Sequence, residues 1–139
     1  MLKNRRSEQM TKITRLTFLA ALSFILFSTT SAWAQSLSGP QKNAVRSAKS
    51  YLAFQAFSRD GLIDQLSSEY GDGYSVTDAT KAVDSLSVNW NAQAVKSAKQ
   101  YLDMMGFSCS GLVEQLSSSA GDQYTRTQAM YGAQQAGAC

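Results

Sequence analysis

A forty-residue stretch occurs twice in this chain, fifty residues apart and without a gap. Residues 44–83 and 94–133 share twenty identities over those forty positions, far more than coincidence supplies. Ala44-Val-Arg-Ser-Ala-Lys-Ser-Tyr-Leu52 returns as Ala94-Val-Lys-Ser-Ala-Lys-Gln-Tyr-Leu102. Phe57-Ser58 returns as Phe107-Ser108, and GLIDQLSS at 61–68 as GLVEQLSS at 111–118. Gly71-Asp72 and Tyr74 match Gly121-Asp122 and Tyr124. The repeat restricts the fold severely: a unit of about fifty residues must fold, and must do so twice. A unit that small buries too little surface to be robust alone, so the copies are expected to pack as a pair.

Each copy reads as three short helices. Ala44, Ala48, Tyr51 and Leu52 recur at helical spacing, which predicts a first helix over Gln41 to Phe54. Ser58 is positioned as the N-cap of a second helix, with Asp60 in its first turn and Leu62, Ile63 and Leu66 facing inward. That helix should end near Ser67–Glu69, before the Gly71-Asp-Gly73 turn. Ser75-Val-Thr-Asp78 has capping-box spacing with Asp in place of Glu or Gln, and Thr125-Arg-Thr-Gln128 repeats it. Ala79, Ala82, Val83 and Leu86 then face inward from the third helix. The expected architecture is all-α: a tandem repeat of two compact three-helix modules of helix-turn-helix-like form. The divisions are a signal peptide at 1–34, a short linker at 35–40, and modules at 41–90 and 91–139.

Asn89 is placed to cap the helix opening the second copy, with Trp90 just inside it. Trp90 suits two roles equally, a wedge between the copies or a core residue of one of them. Phe57 and Phe107 are expected as core anchors, and Tyr74 and Tyr124 as rings packed on the turn with hydroxyls near the surface. The copies also diverge. Arg59 becomes Cys109, and Gly132 and Gly137 lower helix propensity in the last helix, which is expected to be the weaker one. Cys109 could pair with Cys139 and staple that helix. A dimer bridged through Cys139, or free thiols, are the alternatives. The chain is otherwise expected to be a monomer.

Lys3, Arg5, Arg6, Lys12 and Arg15, followed by the apolar run Leu16 to Phe27 and by Ala32-Trp33-Ala34, read as an export signal cleaved before Gln35. Twelve apolar residues fall short of the roughly 20 that a permanent span needs. No cysteine follows that run to accept a lipid. The formal +3 of the whole chain divides into +4 on residues 1–34 and −1 on the remainder. An exported, near-neutral chain offers nothing to nucleic acid. The sequence contains no histidine, which removes the usual triads and His-containing metal sites, and no cofactor or metal is expected. Asp60 and Asp64 share a helix face, but the second copy carries Ser110 and Glu114 there, the pattern of a solvated surface rather than of acid catalysis. No enzyme is expected.

The stretches Ala48–Leu52, Phe57–Leu66 and Tyr131-Gly132, set within two adjacent copies, resemble the Ltp family, the host cell surface-exposed lipoproteins. The resemblance spans nearly all of 35–139. It implies small helical repeats that sit outside the cytoplasmic membrane, have no enzymatic activity, and block phage DNA entry by engaging the tape-measure protein. The chain departs from the family in having no lipobox cysteine, which implies a periplasmic or secreted form without a lipid anchor. A structural protein of the cell envelope or peptidoglycan is the alternative reading. The candidate interaction residues are those polar in both copies: Arg46 and Lys96, Lys49 and Lys99, Asp64 and Glu114, Gln65 and Gln115, Asp72 and Asp122.

Overall fold

The computed structural model describes residues 36–139, which form six α-helices in two groups of three. The expected leader and its cleavage point at Ala34/Gln35 lie outside the described residues. The first module comprises α1 (Gly39–Phe54), α2 (Arg59–Ser67) and α3 (Val76–Asp84), and the second α4 (Trp90–Met104), α5 (Cys109–Ser117) and α6 (Arg126–Gln135). No described helix is long and apolar enough to cross a membrane.

Side-chain caps set the helix starts. Ser58 and Ser108 accept the amides of Gly61 and Gly111, and Asn89 accepts that of Ala92. Helix α1 starts two residues before Gln41, because Ser38 and Gln41 form a capping box around Pro40. Thr125 and Gln128 form the expected box on α6. Only half of one forms on α3: Ser75 takes the Asp78 amide at 3.1 Å, but the Asp78 carboxylate does not close the box. It accepts the Ser75 hydroxyl at 2.8 Å and Gln41 Nε2 at 2.9 Å, tying the start of α1 to the start of α3.

Each module has its own core. Leu62, Leu66 and Val83 are fully buried in the first; Leu112, Leu116 and Val113 are the large buried side chains of the second, with Ala133 at the position of Val83. Burying each leucine contributes about 1.5–3 kcal/mol. Small residues bring the outer helices together, Ala44 and Ala48 with Ala79 and Ala82, and Ala94 and Ala98 with Ala129 and Gly132. Phe57 and Phe107 are only partly buried, packed on the core edge to face with Tyr51 and Tyr101 at centroid distances of 5.8 and 5.6 Å. The pairing of the copies therefore differs from one shared core. Trp90, the first residue of α4, packs against the core of the first module and not that of the second, a core role in one copy rather than a wedge between both.

The last helix forms in full despite its glycines. Helix α6 has ten residues against nine in α3. Gly132 is buried where α6 crosses α4, and a Cβ there would lie 2.7 Å from the Ala94 carbonyl oxygen. Gly137 follows the C-cap at φ 88°, the left-handed position in which glycine ends helices without strain.

Cys109 and Cys139 form a disulfide within the chain, leaving no free cysteine for a bridge between chains. The bond joins the start of α5 to the segment after α6. In the first module the corresponding tie is ionic: Arg59, at the position of Cys109, donates to both carboxylate oxygens of Asp84 at 2.7 and 2.9 Å. One connection is thus made covalently in one copy and by an exposed ion pair in the other.

Candidate functional site

The same hydrogen-bonded triad recurs in both modules. Tyr51 donates to Asp72 at 2.7 Å and accepts from Gln65 at 3.3 Å; Tyr101 donates to Asp122 at 2.7 Å and accepts from Gln115 at 3.1 Å. These bonds fasten the turn after the second helix of each module to its first helix. Four of the candidate interaction residues, Gln65, Asp72, Gln115 and Asp122, thereby hold the fold. The hydroxyls of Tyr74 and Tyr124 approach Ser47 and Ser97 at 3.4 and 3.1 Å. Tyr124 is 2% exposed, so its hydroxyl is buried rather than near the surface.

Where the modules meet, two adjoining hollows of about 690 and 500 Å³ form a continuous groove, sharing Gln55, Ala56 and Asp122. Asp64, Asp103 and Asp122 contribute three carboxylates to its lining, and no Lys or Arg lines it. Val76 and Met104, both exposed, supply apolar surface. Two polar contacts join the modules here: Gln123 Nε2 donates to Asp64 at 2.8 Å, and the Phe57 amide to Gln93 Oε1 at 3.4 Å. Gln123 holds φ 59°, the left-handed conformation that Gly73 adopts at the equivalent place. A glycine there would relieve that strain but lose the contact to Asp64.

The remaining candidate residues lie elsewhere. Lys49 and Lys99 are exposed, and Lys96 is half-buried on α4. Arg46 bonds to Asn43 within its own helix. Glu114 faces Arg126 at 3.7 Å on an open surface. Sequence reasoning missed Gln55, Asp103, Met104 and Gln123, all positions at which the two copies differ. The signal was present as divergence from Met105, Ala53, Phe54 and Gly73.

The perturbed ionisable groups run opposite to catalysis. The Asp72 hydrogen bond pushes the Tyr51 phenol up, while burial, with Asp122, raises Tyr101. Burial raises Tyr124 most strongly. The Ser75 and Gln41 hydrogen bonds hold Asp78 below the usual carboxylate range, and the Arg59 guanidinium does the same for Asp84. Neither a ready phenolate nor a protonated carboxylic acid results. Stability carried by the depressed carboxylates is present above about pH 4 and lost as pH falls through their folded values. Stability carried by the raised phenols is present below about pH 10 and lost as pH rises toward theirs. Circular dichroism should accordingly show a plateau between those limits. Tyr124→Phe should make the alkaline limb less steep, and an unchanged limb would remove Tyr124 as its main cause.

No group of three or more Cys, Asp or Glu side chains placed to hold a metal ion occurs among the described residues. Fold and groove define a class: a tandem pair of three-helix modules meeting at an acid-lined groove. Residues 40–86 and 89–135 each match the family described as host cell surface-exposed lipoprotein, Ltp, and the chain belongs to that family. Its architecture is similar to the structure of Ltp, a superinfection exclusion protein from the Streptococcus thermophilus temperate phage TP-J34. The two chains are 32% identical with a TM-score of 0.62, over 70% of this chain and 95% of that one. No protein of curated function matches this chain in sequence. Family membership makes this a non-enzymatic, all-helical protein.

Proposed function

We propose that this protein acts in phage superinfection exclusion, by binding a protein of the incoming phage at the groove between its modules. The carrying observation is the groove lining: three carboxylates with apolar side chains and no cation, in a chain similar to a superinfection exclusion protein. Such a surface suits a basic, amphipathic protein segment, with charge complementarity guiding encounter and register. The tape-measure protein is the proposed source of that segment. The site of action is outside the cytoplasmic membrane, in the periplasm or secreted, after cleavage between Ala34 and Gln35.

Asp64 and Asp103 are exposed, so reversing them spares the cores. The double variant D64K/D103K also removes the exposed Asp64–Gln123 bond, worth about 1 kcal/mol, and should melt within about 8 °C of the parent. It should lose at least about tenfold in protection when expressing cells are challenged with phage, since a tenfold change needs only about 1.4 kcal/mol of binding. Phage DNA entry that is equal in expressing and non-expressing hosts, for every phage tried, would remove the exclusion reading. Protection retained in full by the double variant would remove the groove.

A further inference from the structure

The second module carries a feature that the first shows to be unnecessary for folding. Met130 and Tyr131 stand on α6 with 37% and 42% of their surfaces exposed, whereas the equivalent residues on α3 are Thr80 and Lys81. The same helix is built in both copies, so the apolar pair is not required by the core. Two shallow hollows of about 510 and 390 Å³ meet at Tyr131. One runs along α6 past Thr127, Met130 and Gln134; the other crosses to Ala92 and Val95 on α4. Arg126 and Lys99 stand on opposite sides, and no Asp or Glu lines either hollow. The nearby acid is Glu114, 3.7 Å from Arg126, with both side chains more than 70% exposed, a contact that an incoming carboxylate can displace.

We infer that this α4–α6 face is a second docking surface, separate from the groove between the modules, and that its occupant is an acidic amphipathic helix of a protein partner. Met130 and Tyr131, with Thr127 and Gln134 at three- and four-residue spacing on the same face of α6, form with Ala92 and Val95 of α4 a shallow valley that fits one face of a helix. Methionine adapts its shape to such a partner, and tyrosine offers a rigid ring with a polar tip. The two flanking cations, with no acid in the lining, select acidic side chains on the helix shoulders. A membrane fits less well, because a flat bilayer does not fill a concave valley. A second copy of this chain fits less well too: its carboxylates beside apolar side chains, Asp64, Asp103 and Asp122 with Val76 and Met104, line a recess, and two concave surfaces do not seat in one another.

The test uses the oxidised full chain, isotope-labelled, and a synthetic acidic amphipathic peptide of about 20 residues, long enough to sustain a helix. Leu and Tyr occupy one face of the peptide and Glu the other. Amide shifts should be confined to 89–99 and 126–135, and the same peptide with Lys for Glu should not bind. The variant M130T/Y131K, which installs the residues of the first copy, should weaken the peptide at least about tenfold, a loss of about 1.4 kcal/mol. Unchanged affinity in that variant overturns the assignment, as do shifts at 55–65 and 121–123. Two further results overturn it in favour of another occupant: binding to phosphatidylglycerol vesicles without peptide binding, or self-association that M130T/Y131K abolishes. None of these readouts involves phage, so failure here is distinct from failure of the exclusion reading.

Discussion

Replacing Cys109 and Cys139 together with serine is expected to lower the melting temperature by roughly 15–25 °C. The bond closes a loop with a sequence separation of 30, and chain-entropy reasoning gives about 3–4 kcal/mol for a loop of that size. In a domain near 100 residues each kcal/mol moves the midpoint by about 4–8 °C. The double variant is the proper test, because a single substitution leaves a free thiol that can pair between chains. The loss should appear first in α6 and the segment after it, where Ala136 and Ala138 pack on the second core. Faster amide exchange there, with α3 unchanged, would show that the bond restrains this end of the module. The first module supplies the contrast. Arg59→Ala breaks the Arg59–Asp84 pair, but both side chains are at least 40% exposed, so the cost should stay below about 1 kcal/mol. A double cysteine variant that melts within about 3 °C of the parent would show that the staple is energetically idle.

The second large effect is expected at Gly71 and at its repeat, Gly121. After α2 the chain folds back over its own end: the Asp72 amide donates to the Gln65 carbonyl at 3.2 Å, and the Tyr74 amide to that of Leu66 at 2.9 Å. A Cβ on Gly71 would fall 2.0 Å from the Gln65 carbonyl oxygen, and one on Gly121 equally close to that of Gln115. Both obstacles are backbone, so no rotamer change relieves them. Gly71→Ala and Gly121→Ala should each cost about 3–4 kcal/mol, at the upper end for overpacking, and should also disturb the Tyr–Asp–Gln triad that holds the turn. Gly73→Ala is the control. Gly73 has φ 67° but open space around it, so the cost is the left-handed conformation alone, about 1–2 kcal/mol. Gln123 already bears that conformation in the second copy. Denaturant unfolding should therefore rank Gly71 and Gly121 well above Gly73, and the reverse order would mean that the turn relaxes around the added methyl.

Much of this architecture was legible along the chain. Ser58, Ser75, Asn89, Ser108 and Thr125 each precede a helix that they cap, because a cap is a local hydrogen bond between residues three apart. Ser38 and Gln41 have the same spacing, so the earlier start of α1 could have been read as well. Gly132 shows where such reading fails. Propensity marks it as a weak point, yet it is the residue that allows α6 to close on α4, and that contact lies outside its own helix.

The candidate site was less legible, for a reason visible in the repeat. Selecting residues that are polar in both copies selects what both copies need, and Gln65, Asp72, Gln115 and Asp122 proved to be fold-holding groups. The surfaces proposed for partners add positions where the copies part, among them Asp103, Gln123, Met130 and Tyr131, to Asp64 and Asp122, which are acidic in both copies. Once one copy has shown what the fold requires, a departure in the other is free to serve something else.

By itself, the sequence determined that this is a two-copy, all-helical protein, where its helices begin, and that its chemistry is not that of a histidine enzyme. Those properties follow from periodicity, from caps a few residues long, and from composition. Only the tertiary structure decided that each copy keeps its own core, that Trp90 packs on the first of them, and that Asp64, Asp103 and Asp122 line one groove. It also decided between the pairings open to the two cysteines. The physical reason is range. Helix formation is written in neighbours three and four residues apart, whereas a groove or a disulfide depends on how distant helices cross, and that is fixed by packing.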